Sequence, residues 1–336
     1  MPTIRDVAKM AGVSVATVSR VINQSGYVNT KTRAKVLHAM KHLNYKPSTV
    51  ARGLAGKKMH FIALILPDIS NPFFSELARA VEDVAQQHDF TVFLCNSDND
   101  DNKEANYIEV LKKKNVDGLI ISSNTFNEKD IESFRDDKIP VVILDRSIIN
   151  EGYSIVRSKN REGARLAVHH LLEHGCRKIA HISGPQKTDT GRERLYGYED
   201  VVKLFSWYDP TLIEEGQFQI EGSDIALQNL LRRHPDIDGI FAGNDLMALG
   251  VLKELRKQGL RVPTDIAVCG FDGIMLTKLT QPTITTVAQP IYQMGAKAAK
   301  MLVQKIRGEQ TGSQLFEFEV KLIEGESTQR NHCKNS

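Results

Sequence analysis

The chain lacks paired cysteines, long apolar runs and, in its first 58 residues, almost all acidic groups. Its four cysteines lie far apart and form no CxxC pair, so we expect neither a zinc site nor a disulfide framework. No run approaches the roughly 20 apolar residues of a membrane-spanning helix, and the N-terminus, MPTIRDVAKM, lacks the apolar core of a signal peptide. We therefore expect a cytoplasmic protein with no membrane partner, no metal and no cofactor.

The shortage of acidic residues at the N-terminus divides the chain into two regions of different charge. Residues 1–58 contain eleven Lys or Arg and a single acid, Asp6, whereas the remaining 278 residues carry 33 basic and 40 acidic groups. A basic head on an acidic body predicts that only the head contacts a polyanion such as nucleic acid. A merely solvated basic surface is the alternative that charge alone leaves open.

The basic head begins with two short helical patterns. Thr3 and Asp6 can form a capping box at the start of IRDVAKMAG, and Gly12 ends that helix. Ser14 can cap a second helix, VATVSRVIN, in which apolar residues recur at helical spacing. The predicted apolar stripe of this second helix consists of Val15, Val18, Val21 and Ile22.

Two short helices joined by a tight glycine-containing turn are typical of a helix-turn-helix, whose second helix enters the major groove. A third helix, capped by Asn29 and running to about Leu43, completes the small domain. A small helical domain that binds protein is the competing interpretation. The second helix presents small or hydrogen-bonding groups, able to approach base edges and phosphates, at Ala16, Thr17, Ser19 and Arg20.

The segment NYKPSTVARGLAGKK, residues 44–58, joins the head to the rest of the chain. It can form a short helix, but Gly53 and Gly56 weaken it, since each interior glycine costs about 1 kcal/mol relative to alanine. Helices shorter than about 12–15 residues are marginal on their own. One bulky apolar residue, Leu54, lies between the glycines. We expect this segment to fold only against a partner.

The head and linker resemble the lactose-repressor (LacI) family over TIRDVAKMAGVSVATVSRVIN and YVNTKTRAKVLHAMKHLNYKPSTVARGLAGKK. The resemblance implies a DNA-binding domain over residues 1–45, a hinge helix over 46–58 and a ligand-binding and dimerisation core over 59–336. It also implies a homodimer on palindromic double-stranded operator DNA, in which the hinge leucine, here Leu54, opens a base step from the minor groove. The DNA-binding residues expected on this basis are Thr3, Ser14, Val15, Ala16, Thr17, Ser19, Arg20, Asn23, Tyr27, Arg33, Ala51 and Leu54.

From residue 60 onward, short buried apolar runs such as FIALILPD and TVFLCNSD alternate with amphipathic helical patterns such as SELARAVEDVAQQH. This alternation predicts parallel sheets with helices on both faces. With roughly nine strands, two sheets are favoured over one. We therefore expect an all-α head followed by an α/β core of two doubly wound parallel-sheet subdomains with a cleft between them. The subdomains are predicted at about residues 59–157 with 289–315 and at about residues 158–288 with 316–330.

Polar and aromatic residues follow several of the predicted strands, where ligands bind in doubly wound sheets. Taken singly, each has an ordinary alternative as a helix cap, a turn residue, a core aromatic or a surface ion pair. Taken together, carboxylates, guanidinium groups, amides and aromatic rings suit a neutral polyhydroxylated ligand. Asp145 and Asp272 can accept from hydroxyls, and Arg146 and Arg194 can donate to them.

The core resembles the ribose-binding periplasmic proteins, whose type I fold also forms the core of the LacI family. The resemblance covers residues 60 to about 325 and includes NPFF, LDR, RERLYGY and GFDG. It implies D-ribose or a close pentose as the effector. The family's amide after GLIIS is replaced here by Ser123, with Asn124 one place on. The ligand-binding residues carried over are Asn71, Phe73, Phe74, Asp145, Arg146, Arg194, Phe218, Asn244, Asp272 and Gln289.

These features together predict a repressor of a sugar (ribose) utilisation operon that leaves its operator when the sugar binds. A regulator of the same family that responds to another sugar or to a purine, including as a corepressor, is the main alternative. A transported sugar receptor is opposed by the basic head and the missing signal peptide. An enzyme is opposed by the lack of GxSxG, P-loop and paired-histidine motifs.

Overall fold

A computed structural model shows two compact units, Met1–Met59 and His60–Ser336. The first unit is helical, and the second combines helices with two sheets. The hinge segment predicted at residues 46–58 lies outside the described part of the chain. The structure describes residues 2–22, 25–45, 59–122, 134, 136–146 and 152–330.

The helices of the head begin and end at the capping residues found in the sequence. The Thr3 hydroxyl accepts from the Asp6 N–H, and Asp6 Oδ2 accepts from the Thr3 N–H at 2.7 Å, which completes a capping box. Gly12 ends the first helix in the left-handed conformation, at φ 67°. Ser14 and Asn29 cap the next two. These helices are α1 (Ile4–Ala11), α2 (Val15–Ile22) and α3 (Thr30–His42).

The core of the head corrects one prediction about α2. Val18 and Val21 are buried and Ile22 is half-buried, as the apolar stripe requires. Val15, by contrast, is 42% exposed. It is the first residue of a two-turn helix and lies at the margin of a core too small to cover both helix ends. Val15 is therefore not a core residue but part of the exposed surface of α2.

The second unit alternates strands with helices, as the apolar runs predicted. The first strand is buried along nearly its whole length, which is typical of a parallel strand covered on both faces. Its strands are β1 (Phe61–Leu66), β2 (Thr91–Asn96), β3 (Gly118–Ile121), β4 (Val141–Leu144), β5 (Ser154–Ser158), β6 (Ile179–Ser183), β7 (Ile213–Glu215), β8 (Gly239–Ala242), β9 (Ala267–Asp272), β10 (Thr285–Ala288), β11 (Leu315–Phe318) and β12 (Lys321–Ile323). Its helices are α4 (Pro72–Gln87), α5 (Asp101–Lys113), α6 (Asn160–Glu173), α7 (Asp189–Val202), α8 (Ile220–Arg233), α9 (Asp245–Lys257) and α10 (Ile291–Arg307), with short 3₁₀ turns at Pro210–Leu212, Met275–Lys278 and Glu326–Thr328.

The strands form two six-stranded sheets, which confirms the predicted fold class of a helical head and a two-sheet α/β core. The first sheet has the order β11-β5-β4-β3-β1-β2 and is parallel throughout. The second has the order β12-β10-β9-β8-β6-β7 and is parallel except for the antiparallel edge strand β12. Helices α4 and α10 pack on the first sheet, and α8 and α9 pack on the second.

The chain passes between the two sheets three times, after β5, after β10 and between β11 and β12. The last of these crossings lies later than predicted. Leu315–Phe318 pairs with Ile155–Ser158 in the first sheet, so the chain leaves that sheet after Phe318 and not after residue 315. The strand was missed because three of its four residues are exposed, so its sequence carries little apolar signal.

The cysteines in the described part of the chain and the aromatic cluster that follows α7 (Phe205, Trp207 and Tyr208) occupy ordinary positions. Cys95, Cys176 and Cys269 are buried free thiols, and burial raises the pKa of Cys95 to about 11. In the aromatic cluster Trp207 packs against the core of the second sheet, whereas Phe205 remains 38% exposed. Among the described residues no helix is long and apolar enough to cross a bilayer.

Candidate ligand-binding site and DNA-binding face

A cavity of about 250 Å³ lies between the two sheets of the core, at the carboxyl ends of their strands. This is the position at which doubly wound sheets bind ligands. The volume is at the small end of the range for small-molecule sites, so the cavity suits a small ligand. Of the ligand residues predicted from the sequence, those that line the cavity are Asn71, Phe73, Phe74, Asp145, Arg194, Phe218, Asn244 and Asp272.

Arg194, on α7, is the buried cation of the site. It is 3% exposed, and its guanidinium group lies 3.8 Å from the centroid of the Phe271 ring. Its Nε donates to Asn160 Oδ1 at 2.9 Å, and its Nη1 donates to the Gly243 carbonyl at 2.6 Å. Its Nη2 lies 3.1 Å from Asp272 Oδ1. These partners fix the plane of the guanidinium group and leave part of its five-donor fork for a ligand.

Asp272 ends β9 and carries the carboxylate that pairs with this arginine. Its Oδ1 also accepts from Gln289 Nε2 at 2.8 Å, and its carbonyl accepts from the Gln289 N–H at 2.9 Å. Burial raises the pKa of Asp272, while the Arg194 charge lowers it. Gln289, which does not line the cavity, therefore acts on the site through Asp272. Its own Oε1 is buried and has no hydrogen-bond partner among the described residues.

A further carboxylate, Asp245, lies behind this pair and holds the loop that carries it. Asp245 Oδ2 accepts from the N–H groups of Gly273 and Ile274 at 2.7 and 2.9 Å, and its Oδ1 accepts from the Thr286 hydroxyl at 2.6 Å. Burial and the neighbouring Asp272 raise the pKa of Asp245 well above its ordinary value. Asp245 therefore positions Asp272 and does not itself face the ligand cavity.

Asp145 follows β4 and faces the cavity from the first sheet. Its Oδ1 is buried without a hydrogen-bond partner among the described residues, and its backbone has φ 58°. Burial raises the pKa of Asp145 to about 7, against the opposing effect of the Arg194 charge. A buried acceptor without a partner costs free energy unless a ligand supplies the hydrogen bond. The atom is therefore placed to accept from a ligand hydroxyl.

The aromatic residues form two apolar surfaces of the cavity. Phe73 and Phe74 meet edge to face, with ring centroids 5.0 Å apart, at the start of α4. Phe218 lies on the other wall in the left-handed conformation, at φ 59°. A Cβ on Gly184 would lie 2.0 Å from the Phe218 ring, so only glycine allows this ring position. Flat apolar faces of this kind can pack against the C–H groups of a sugar ring.

Two asparagines combine helix capping with the cavity wall. Asn71 Oδ1 accepts from the Phe73 N–H at 3.0 Å and starts α4. Asn244 Oδ1 accepts from the Met247 N–H at 2.9 Å and starts α9, while its Nδ2 donates to the Phe218 carbonyl at 3.2 Å. Both asparagines are therefore helix caps, and both also border the cavity.

Arg146 is the second predicted ligand residue, with Gln289, that does not line the cavity. Its Nε lies 4.0 Å from Asp189 Oδ2, an acid on α7 that also pairs with Arg192. The predicted contact at Ser123 or Asn124 lies outside the described residues, while the adjacent Ser122 does line the wall. Arg146 thus lies at an ion-pair cluster beside the site and not on its surface.

Sequence reasoning missed several wall residues, most of them in loops after β1, β2, β6 and β7. The rule that points to strand ends also applies to them, but β7 is short and half-exposed and was not predicted, so the loop after it could not be assigned. The lining residues that were not predicted are Pro67, Asp68, Asp98, Asn99, Ser122, Pro185, Lys187, Thr188, Thr190, Gln217 and Gln219. Within the described residues no cluster of His, Cys, Asp and Glu is arranged to hold a metal ion.

The head presents its predicted DNA-binding residues on an open surface. Around the start of α2, Ser14, Val15 and Ala16 are exposed. Tyr27 is 90% exposed, an unusual state for a tyrosine in a folded domain. Asn23, Ala51 and Leu54 lie outside the described residues. The remaining predicted residues are exposed at Thr3, Arg20 and Arg33 and half-buried at Thr17 and Ser19.

Comparison with known families matches both units. Residues 3–48 match the bacterial regulatory proteins of the lacI family, and residues 59–326 match the periplasmic binding proteins and sugar binding domain of the LacI family. The chain belongs to the LacI family. The helical head and the two-sheet core described above are therefore those of a LacI-family regulator, as the resemblance in the sequence predicted.

Individual LacI-family members are similar over nearly the whole chain. A ribose operon repressor of Halalkalibacterium halodurans is 45% identical over 328 residues, which cover 98% of this chain and 97% of that protein. A lac repressor dimer bound to operator and the anti-inducer ONPF is 29% identical, with a TM-score of 0.85 and coverage of 98% and 99%. A LacI-family regulator from Enterococcus faecalis with bound ribose is 30% identical, with a TM-score of 0.74 and coverage of 80% and 98%.

Proposed function

We propose that the chain is a cytoplasmic DNA-binding repressor of a ribose utilisation operon, released from its operator when ribose enters the cavity of the core. The observation that carries the sugar assignment is the buried Asp145 Oδ1, which has no hydrogen-bond partner in the described part of the chain and lies on the cavity wall opposite the Arg194–Asp272 pair. A ligand with hydroxyls on several carbons can donate to both carboxylates and accept from the arginine at once.

The chemistry of the cavity supports a neutral sugar over a charged or purely apolar ligand. Asp68, Asp98, Asp145 and Asp272 all line the wall, so an anionic ligand would meet several carboxylates. An apolar ligand would leave the buried acceptors unpaired, which is the strongest form of discrimination available to a polar site. The phenylalanine faces supply the apolar contact that the C–H groups of a sugar need. Similarity to a ribose operon repressor and to a regulator with bound ribose supports a pentose, and D-ribose in particular.

DNA binding by a homodimer follows from the head. A recognition helix with an exposed first turn and basic neighbours fits the major groove, and two half-sites require two heads. Thr17, Ala16, Val15 and Arg20 would supply base contacts, and Arg33 would supply phosphate contacts. Similarity to the operator-bound lac repressor dimer supports this arrangement. The predicted hinge at residues 46–58 would order on the operator and carry Leu54 into the minor groove.

The test is a pair of titrations at one fixed salt concentration. An operator is first selected from random DNA duplexes with the full chain in the absence of sugar. Operator affinity is then measured by fluorescence anisotropy with and without saturating D-ribose. We expect ribose to weaken operator binding by roughly 5- to 150-fold, and operator to weaken ribose binding by the same factor. Fixed salt matters because phosphate contacts make operator affinity steeply salt-dependent.

A ligand panel separates this proposal from its alternatives within the family. Calorimetric titration with pentoses, hexoses and purines is expected to show the tightest binding for D-ribose. A purine or a hexose that binds more tightly would contradict the ribose assignment, and a ligand that strengthens operator binding would contradict its role as an inducer. Recovery of unchanged ribose after prolonged incubation with the protein is expected, because the carboxylates act as hydroxyl acceptors and not as an acid–base pair.

A further inference from the structure

Asn160 connects the candidate ligand site to the first crossing between the two sheets. It is the first residue of α6 and follows β5 by two residues, so it lies where the chain passes from one sheet to the other. It is 6% exposed and was not among the residues predicted from the sequence. It does not line the cavity, so a direct ligand contact does not explain its burial.

The side chain of Asn160 has polar partners on both sides of this crossing. Its Oδ1 accepts from Arg194 Nε at 2.9 Å, and its Nδ2 donates to the Ser158 carbonyl at 3.2 Å. The pKa of Asp145, at the end of β4, depends on the same two side chains, Asn160 and Arg194. Burial raises the pKa of Asp145, the Arg194 charge lowers it, and a hydrogen bond from Asn160 lowers it further. Asn160 thus contacts Arg194 in the wall of the second sheet and Ser158 at the crossing, and it affects the pKa of Asp145 in the wall of the first sheet.

The same chain of hydrogen bonds continues to the second crossing. Arg194 Nη2 pairs with Asp272 Oδ1, which accepts from Gln289 Nε2 at 2.8 Å. Gln289 follows β10 directly and precedes α10, so it belongs to the segment that returns to the first sheet. We call this series of hydrogen bonds the relay; its side chains, Asn160, Arg194, Asp272 and Gln289, are all at most 6% exposed. Hydrogen bonds between buried side chains are strong, so a displacement at one member of the series moves the next.

Close packing holds α6 in the position that this relay requires. A Cβ on Gly163 would lie 2.7 Å from the Phe271 ring, which itself stacks on the Arg194 guanidinium group. A Cβ on Gly197 would lie 2.2 Å from the Arg161 carbonyl, so α7 touches the first turn of α6. Arg194 on α7 and Asn160 on α6 therefore cannot shift independently, because the two helices are closely packed against each other.

From this arrangement we infer that Asn160 is a positioning residue that transmits ligand binding at Arg194 to the first crossing. The inference rests on the proposed function and adds a route by which the filled cavity changes the relation of the two sheets. A ligand bound to Arg194 engages the cavity residue that is hydrogen-bonded to Asn160 Oδ1. A movement of Arg194 is passed to Ser158 and the crossing through the Asn160 amide.

The test measures coupling and ligand affinity separately in Asn160→Ala. Operator affinity is determined by anisotropy without sugar and at ribose concentrations that saturate the variant, so that weaker ribose binding does not mimic lost coupling. We expect ribose affinity to fall by at most about tenfold, since direct ligand contacts remain. The factor by which saturating ribose weakens operator binding is expected to shrink by roughly three- to thirtyfold.

Two further variants make the outcome decisive. Asn160→Leu keeps the side-chain size without polar atoms and is expected to lose coupling in the same way, which keeps the test valid if Asn160→Ala does not fold. Arg161→Ala changes the next residue of α6, whose guanidinium group pairs with Asp200, and is expected to keep wild-type coupling. Wild-type coupling in either folded Asn160 variant would overturn the inference. Operator affinity of the wild-type protein that is the same with and without ribose would instead overturn the proposed function.

Discussion

The two walls of the ligand cavity are built on the same kind of sheet but differ in how their polar groups are held. On the second sheet, Arg194 and Asp272 are paired with each other and with further buried partners, and Asp245 holds the loop behind them. On the first sheet, Asp145 has a buried oxygen that no described residue contacts by a hydrogen bond, and the neighbouring surface is the Phe73–Phe74 pair.

This difference indicates an order of events during binding. The wall on the second sheet is preorganised, so a sugar can bind there without reorganising buried charge. The wall on the first sheet offers Asp145 Oδ1, which has no partner among the described residues, to a ligand hydroxyl. A ligand that contacts both walls therefore favours one relative position of the two sheets over others.

The largest effect on stability and ribose binding is expected from Arg194→Met, which removes the buried cation from the cavity wall of the second sheet. The change removes the cation that pairs with Asp272 and leaves that buried carboxylate without this counter-charge, which typically costs about 3–5 kcal/mol of unfolding free energy. Ribose binding should be lost in calorimetric titration. Urea unfolding of the isolated protein measures the stability change.

Arg192→Met is the matched control for this change. Arg192 lies on the same helix and pairs with Asp189, but its side chain is 39% exposed, so its removal should cost at most about 1 kcal/mol. Equal stability of Arg194→Met and Arg192→Met would show that the buried pair contributes nothing beyond a surface pair. The contrast between the two walls would then lose its energetic basis.

A smaller effect on ribose affinity is expected at Asp145, on the cavity wall of the first sheet, and this effect depends on pH. Because the pKa of Asp145 is about 7 in the empty protein, lowering the pH from 8 to 6 protonates it. A ligand hydroxyl donates best to the ionised carboxylate, so ribose affinity should fall by up to roughly tenfold over this range. Calorimetric titration at several pH values measures the slope.

Asp145→Asn should bind ribose more weakly and without this pH dependence. The groups that act on Asp145 besides burial are Arg194, Asp272, Asn160 and Asp189. The buried His181 does not contribute to a pH dependence between pH 6 and pH 8, since burial lowers its pKa to about 4. Ribose affinity that stays constant from pH 6 to pH 8 in the unaltered protein would contradict the placement of an ionisable acceptor on this wall.

The smallest effect is expected at the aromatic part of the same wall. Phe74→Leu keeps an apolar side chain but removes the flat ring face, so ribose affinity should fall by roughly fivefold, or about 1 kcal/mol. Phe205→Leu is the control, because Phe205 does not line the cavity. Similar losses for both variants would indicate a general change in stability and not a sugar contact, and thermal unfolding of each variant distinguishes the two.

The prediction of the fold succeeded where one local pattern was enough. Caps at Thr3, Ser14 and Asn29 gave the helix starts of the head, because capping depends only on neighbours in the chain. Buried parallel strands such as β1 and β9 were visible as apolar runs. Two of the strands that were missed, β7 and β11, are short or exposed and are held by their sheet neighbours.

The structure places most of the predicted ligand residues at one cavity, while the way their side chains are held was not predicted. Asn244, Asp272 and Arg194 follow strand ends or match the family motif, and all three line the cavity. The part played by Asn160 could not be found in the same way, because its contact with Arg194 joins residues 34 positions apart in the chain. Val15 was assigned to the core from its spacing alone, although a small core covers only part of a helix face.

The sequence by itself determined the basic head with its capped helices, the alternation of strands and helices in the core, and the types of side chain at the strand ends. Only the tertiary structure decided which of those side chains share one cavity, which are paired and which remain unpartnered. The physical reason is range: caps and periodicity act between residues a few positions apart. Burial, ion pairing and pKa values depend on groups that the fold brings together from distant parts of the chain.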